Sequence, residues 1–192
     1  MGKGRLEAFS DAVVAIILTI MVLEMKVPHG ADFANLVPLW PVFLSYALSF
    51  LYIGIYWNNH HHLLQATQKV NGRVLWANLH WLFWLSLLPF STGWMGENYF
   101  APLPVALYGA GLLLTAVAYY VLTHTLISHH GRDSAIAVAV GRDTKGKISL
   151  ALYVVGILLA FVQPWLACAV YLLVAIVWLV PDSRFERSPH RG

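Results

Sequence analysis

The residues from Arg5 to Val27 set the first constraint on this chain. Ala12 to Leu23 carries no charge and one polar residue, Thr19, yet Glu7 and Asp11 stand just before it and Glu24 just after it. A run this apolar reads as a transmembrane helix, and carboxylates at the edge of the hydrocarbon are expensive enough to mark function or an internal partner. With helical spacing, Ile16, Ile20 and Leu23 fall at i, i+4 and i+7 and share one face. Thr19 lies beside them, one turn from Ile16 and from Leu23. A first span that merely packs on its neighbours would carry the same face. Lys3 and Arg5 resemble the basic start of a signal peptide. Glu7 and Asp11 place acids where such a peptide would turn apolar, and no small-residue cleavage site precedes Pro28. The helix is therefore expected to remain as a permanent span.

The rest of the chain agrees with a membrane setting. Of 192 residues, 59% are hydrophobic and 11% charged, where a soluble domain has about 25% charged. Five uncharged stretches appear: Ala12–Leu23, Phe33–Gln68, Val74–Gly96, Asn98–Gly131 and Ile148–Pro181. The fifth holds 34 residues, a helix of roughly 50 Å against a hydrocarbon core of about 30 Å. Gln163-Pro164 divides it near the middle, so two short helices in a tight hairpin are expected. The expected fold is one all-α membrane domain over residues 1–181. Its six transmembrane helices are expected at about 7–27, 38–62, 73–96, 102–128, 147–163 and 165–180, with a cytoplasmic tail at 182–192. The loop from Ser128 to Lys147 reads as solvated and partly helical, and the tail after Pro181 as disordered.

Charge placement orients the domain. Lys3, Arg5, Lys69, Arg73, Arg132, Arg142, Lys145, Lys147, Arg184, Arg187 and Arg191 would face one side, eleven of twelve Lys and Arg, leaving only Lys26 on the other. The positive-inside rule then puts both termini in the cytoplasm. The fifth stretch is basic at both flanks, which independently favours a hairpin. A net charge of +3 is modest, and no nucleic-acid partner is expected.

Chemical motifs are sparse. No nucleophile elbow, phosphate loop or paired metal-ligand motif is present, so an enzyme is not expected. His60, His61 and His62 are consecutive on a helix and point about 100° apart, so they cannot share one tetrahedral metal centre. One of them could titrate near neutrality. Ser91 to Gly96 differs from a carbonyl selectivity filter and reads as the outer end of the third helix, turning at Gly93 and Gly96. A transporter would show inverted repeats and broken helices around midplane polar groups. Cys168, the single cysteine, permits no intrachain disulfide and reads as a small buried residue. Asp11 sits about one turn into the membrane and needs a partner. The histidines end the second span and Asn78 begins the third at matching depth. A buried knot of Asp11, one histidine and Asn78 is expected from the cost of leaving such groups unpaired.

Arg5-x-x-x-Phe9-Ser10-Asp11, followed by Ala15-Ile16 and Thr19, resembles the start of the transmembrane protein 175 family of potassium channels. Trp57-Asn58-Asn59-His60-His61-His62, Asn78 and Leu88-Pro89-Phe90-Ser91-Thr92 resemble that family's second and third helices. The resemblance covers the first half of the chain; the second half matches in hydropathy. It implies a potassium-selective homotetramer in the cell membrane, here the bacterial inner membrane, with K+ as permeant ion, no cofactor and no carbonyl filter. It also implies that the first helix lines the pore, with bulky apolar rings at Ile16, Ile20 and Leu23 and a polar layer at Thr19. The motif residues Arg5, Phe9, Ser10, Asp11, His60, His61 and Asn78 are implied to tie the first helix to the second and third. Two other functions fit the residues: a proton-conducting or proton-coupled pathway using Asp11 and the histidines, and a non-conducting scaffold.

The charge split is directly testable. In a background lacking Cys168, Gln163→Cys should react with an impermeant thiol reagent from outside, and His190→Cys only after the cytoplasmic side is opened. The reverse pattern at either site refutes the hairpin.

Overall fold

The computed structural model describes residues 2–131, 134–141 and 143–179. The described residues form helices and no strand. They are α1 (Lys3–Leu23), α2 (Trp40–Gln65), α3 (Gly72–Ser86), α4 (Leu88–Glu97), α5 (Pro102–His130), α6 (Ala135–Val140), α7 (Thr144–Ala160) and α8 (Pro164–Leu179). Four segments are long and apolar enough to cross a bilayer: Lys3–Leu23, Phe33–Gln65, Gly72–Glu97 and Pro102–His130. The expected tail at 182–192, and Arg132, Asp133 and Arg142 of the expected loop, lie outside the described residues.

The ends of these helices obey local chemistry. The Asn71 side chain caps α3 by accepting the Val74 N–H at 3.0 Å. Proline occupies the first turn of α2, α4 and α5, where its missing N–H costs nothing. The third expected span is two helices. Pro89 cannot donate to the Leu85 carbonyl and its ring crowds that oxygen, so the chain breaks at Leu87. The second span runs three residues past the expected end at 62, because Leu63 and Leu64 are buried and hold the last turn. The fifth stretch divides at Phe161–Gln163, as Pro164 predicts, into α7 and α8 of 17 and 16 residues packed as a hairpin. Helices of that length measure about 25 Å.

α5 is the central helix, packed against α3, α4, α7 and α8. α1 lies at the edge, in contact with α2, α3 and α4. Tyr171 of α8 fills a slot against Gly109 and Gly156, where an added Cβ would collide with its ring or hydroxyl. Buried hydroxyls pair across helices: Ser49 bonds Thr92 at 2.6 Å and Tyr108 at 3.0 Å. At one end of the bundle Phe100, Trp40 and Trp165 cluster: the Phe100 ring centroid is 6.1 Å and 4.8 Å from those of Trp40 and Trp165, which are 5.9 Å from each other.

The expected turn at Gly93 and Gly96 is corrected. α4 continues through both glycines to Glu97. The chain reverses instead at Tyr99 and Phe100, both with positive φ (49° and 58°). Burial of Phe100 against the two tryptophans holds that strained conformation. Gly96 serves close packing: a Cβ there would lie 2.9 Å from the Val42 Cα of α2. Gly96→Ala should therefore cost about 1–3 kcal/mol through overpacking against backbone. Gly54→Ala, with nothing within 4 Å of its added Cβ, should cost less than about 1 kcal/mol or stabilise the helix. Thermal unfolding of the detergent-solubilised variants reads the difference.

Candidate pore-lining helix and its polar anchor

α1 has two distinct faces. Leu6, Ser10, Val14, Ile17 and Met21 are its buried residues, and at 100° per residue they occupy an arc of about 80°. About 115° round the helix from the middle of that arc, Ile16, Ile20 and Leu23 are 57%, 42% and 76% exposed. Thr19 is exposed in the same sector, and its hydroxyl donates to the Ala15 carbonyl at 2.8 Å. Its oxygen lone pairs therefore remain available on the outer side of the helix. Arg5 and Phe9 are exposed on this face too, before Ile16 begins the aliphatic series.

The buried face is fixed by a directed chain of hydrogen bonds. The Ser10 hydroxyl donates to the Leu6 carbonyl at 2.9 Å. Its oxygen accepts from Asn78 Nδ2 at 2.9 Å. Asn78 Oδ1 in turn meets His60 Nε2 at 2.9 Å, so the imidazole donates and the network assigns the proton to Nε2. Ser10, Asn78 and His60 are each at most 1% exposed. The His60 ring also stacks on Trp81 at 4.6 Å between centroids. Three helices, α1, α2 and α3, are joined at one buried point.

Asp11 is not a member of this knot, against expectation. It is part-exposed on the flank of α1, and Trp57 Nε1 of α2 donates to its Oδ1 at 3.0 Å. Ser10 takes the buried place because it is one residue, about 100°, round the helix. A neutral hydroxyl can also be buried at far lower cost than a carboxylate. Glu7 lies one turn before Asp11 and approaches His61 Nδ1 at 3.4 Å. His61 stacks with Trp57 and meets Gln65 at 2.8 Å. A second, more exposed row of contacts thus runs alongside the first. Lys3 Nζ bonds the Gln65 carbonyl at one end of α1, and Lys26 Nζ bonds Glu97 at 2.8 Å beyond the other. The Glu97 carboxylate raises the pKa of Lys26.

The residues matched by the family model for the endosomal/lysosomal potassium channel TMEM175 are 5–89, which contain both the knot and the exposed face. The chain is 55% identical to a potassium channel of Chryseobacterium sp. (strain P1-3), over 98% of each protein. The chain belongs to the TMEM175 family. It is similar to the crystal structure of a lysosomal potassium-selective channel TMEM175 homolog from Chamaesiphon minutus. The TM-score is 0.79 and the identity 29%, over 93% of this chain and 96% of that one. It is also 28% identical to the mouse endosomal/lysosomal proton channel TMEM175, over 84% of this chain and 36% of that protein. The family is one of ion channels, and the protein is not an enzyme.

The motif residues thus divide among three tasks in space. Arg5 and Phe9 extend the exposed face, Ser10 joins the buried chain and Asp11 grips Trp57. Trp57 and Glu7 had no assigned role in the sequence. Trp57 stands one turn before His60 and His61, a spacing that could have singled it out. Replacing Asn78 by Ala leaves His60 Nε2 buried without a partner and Ser10 with only its bond to the Leu6 carbonyl, at about 1–3 kcal/mol for the orphaned imidazole. Asp11→Ala removes one part-exposed contact and should cost about 1 kcal/mol. Melting temperatures in detergent should fall in the order wild type, Asp11→Ala, Asn78→Ala; an inverted order would refute the anchor.

Proposed function

We propose that the protein is a potassium-selective channel of four identical subunits, with α1 of each lining a central pore. The observation that carries this reading is the exposed aliphatic face of α1, set apart from the face anchored in its own subunit. A single subunit supplies one such helix, so closed rotational symmetry is the natural arrangement. Four copies of Ile16, Ile20 and Leu23 would form stacked apolar rings with Thr19 between them. A narrow apolar neck blocks ions by dewetting, without a carbonyl filter. A small rotation or spreading of α1 about its buried anchor would open it, and Thr19 would offer oxygens to a partly dehydrated ion. The reading includes K+ as permeant ion, no cofactor, both termini in the cytoplasm and six spans, with α7 and α8 as the short pair. The bacterial relatives favour the bacterial inner membrane.

Proton conduction is the second reading, favoured by the similarity to the mouse proton channel and by Glu7, His61 and Asp11 along one flank of α1. Reversal potentials in separate potassium, sodium and pH gradients distinguish the two; a scaffold would give no current. Ile16→Asn should hydrate the neck, raise basal current and weaken potassium preference. If Ile16 instead packs in a core, the buried amide should reduce protein yield. Well-folded Ile16→Asn protein with wild-type current and selectivity refutes the gate.

A further inference from the structure

A cavity of about 170 Å³ lies between α2, α5, α7 and α8, with Val140 of α6 at its edge, and no α1 residue lines it. Its walls are aromatic: Tyr52 and Tyr56 from α2, Tyr119 and Tyr120 from α5, Tyr153 from α7 and Trp178 from α8. Tyr56, only 9% exposed, and Tyr119 both line this cavity. Tyrosine presents an apolar ring with a polar tip, which suits a cavity that takes an apolar body with a charged group. Asp143, at the N-terminus of α7, stands at the rim beside Lys145.

We propose that this cavity binds a small organic cation with an apolar body, its charge set among the tyrosine rings and held by the Asp143 carboxylate. Ring faces carry negative potential and attract quaternary or protonated amines while disfavouring anions. The carboxylate is half-buried in a left-handed backbone conformation (φ 43°), where its Oδ1 accepts the Gly146 N–H at 3.2 Å. Burial pushes the Asp143 carboxyl up from its usual range, and His124 of α5 and Lys147 of α7 only partly offset this. A bound cation would supply the missing stabilisation of the charged form. The site stands apart from α1 and does not depend on the pore reading.

Equilibrium dialysis of benzyltrimethylammonium against the purified full chain in detergent tests the proposal. One saturable site per subunit is expected, weakening as pH falls and Asp143 takes up its proton. Asp143→Asn keeps a side-chain acceptor for the helix cap and should weaken binding at least tenfold. Leu150→Trp, which adds bulk to the cavity wall, should abolish it in protein that still melts cooperatively. Absence of binding, or unchanged affinity in both variants, overturns the proposal. Loss on Thr19→Ala with retention in Asp143→Asn would put the cation on α1 and overturn it equally. Tighter binding of hexyl phosphate than of the cation would assign the rim to Lys145 and an anion, which also overturns it.

Discussion

The hydrogen-bond chain from Ser10 through Asn78 to His60 is the constraint on which the arrangement of α1 depends. It is buried, directional and shared by three helices. In an apolar surrounding, such groups have no water to turn to if the contact breaks. The chain therefore fixes not only where α1 packs but how it is rotated about its axis. That rotation leaves Ile16, Ile20 and Leu23 outward. Shifting α1 by one residue, about 100° of rotation, would carry Ser10 out of the knot and turn the aliphatic face toward its own subunit.

The polar anchor sits near one end of α1, and toward the other end the buried contacts are apolar, through Val14, Ile17 and Met21. Lys26 and Glu97 form an exposed pair beyond the helix, and exposed ion pairs contribute little to stability. A polar anchor near one end suits a helix that tilts or rotates about it, which the proposed gate requires. The second half of the chain has a different character. α5, α7 and α8 are packed through glycines and tyrosines into a buttress behind α2. The tyrosine-lined cavity lies between that buttress and α2.

Asp11 illustrates how a correct principle can be attached to the wrong residue. A carboxylate near hydrocarbon needs a partner, and Asp11 has one in Trp57. The deeper position goes to Ser10, whose hydroxyl can both donate to the backbone and accept from Asn78. Spacing alone left open which of three consecutive histidines meets Asn78; the packing of Trp81 against His60 selects it. Similarly, Gly93 and Gly96 suggested a turn, but Gly96 is there for close approach to α2.

Hydropathy, charge placement and proline positions were sufficient to specify the helical class, the hairpin at Pro164 and the shared face of Ile16, Ile20 and Leu23. These are local properties, set by the period of the helix and by the missing proline N–H. The motif around Arg5 to Asp11 was sufficient to indicate the family. The tertiary structure alone decided which face of α1 is buried, that Ser10 rather than Asp11 joins the knot, and that α3 and α4 form separate helices. It also decided that aromatic residues from four helices surround one cavity. Each of these depends on which residues distant in sequence meet in space, and hydrogen-bond direction and steric fit, rather than spacing, determine that.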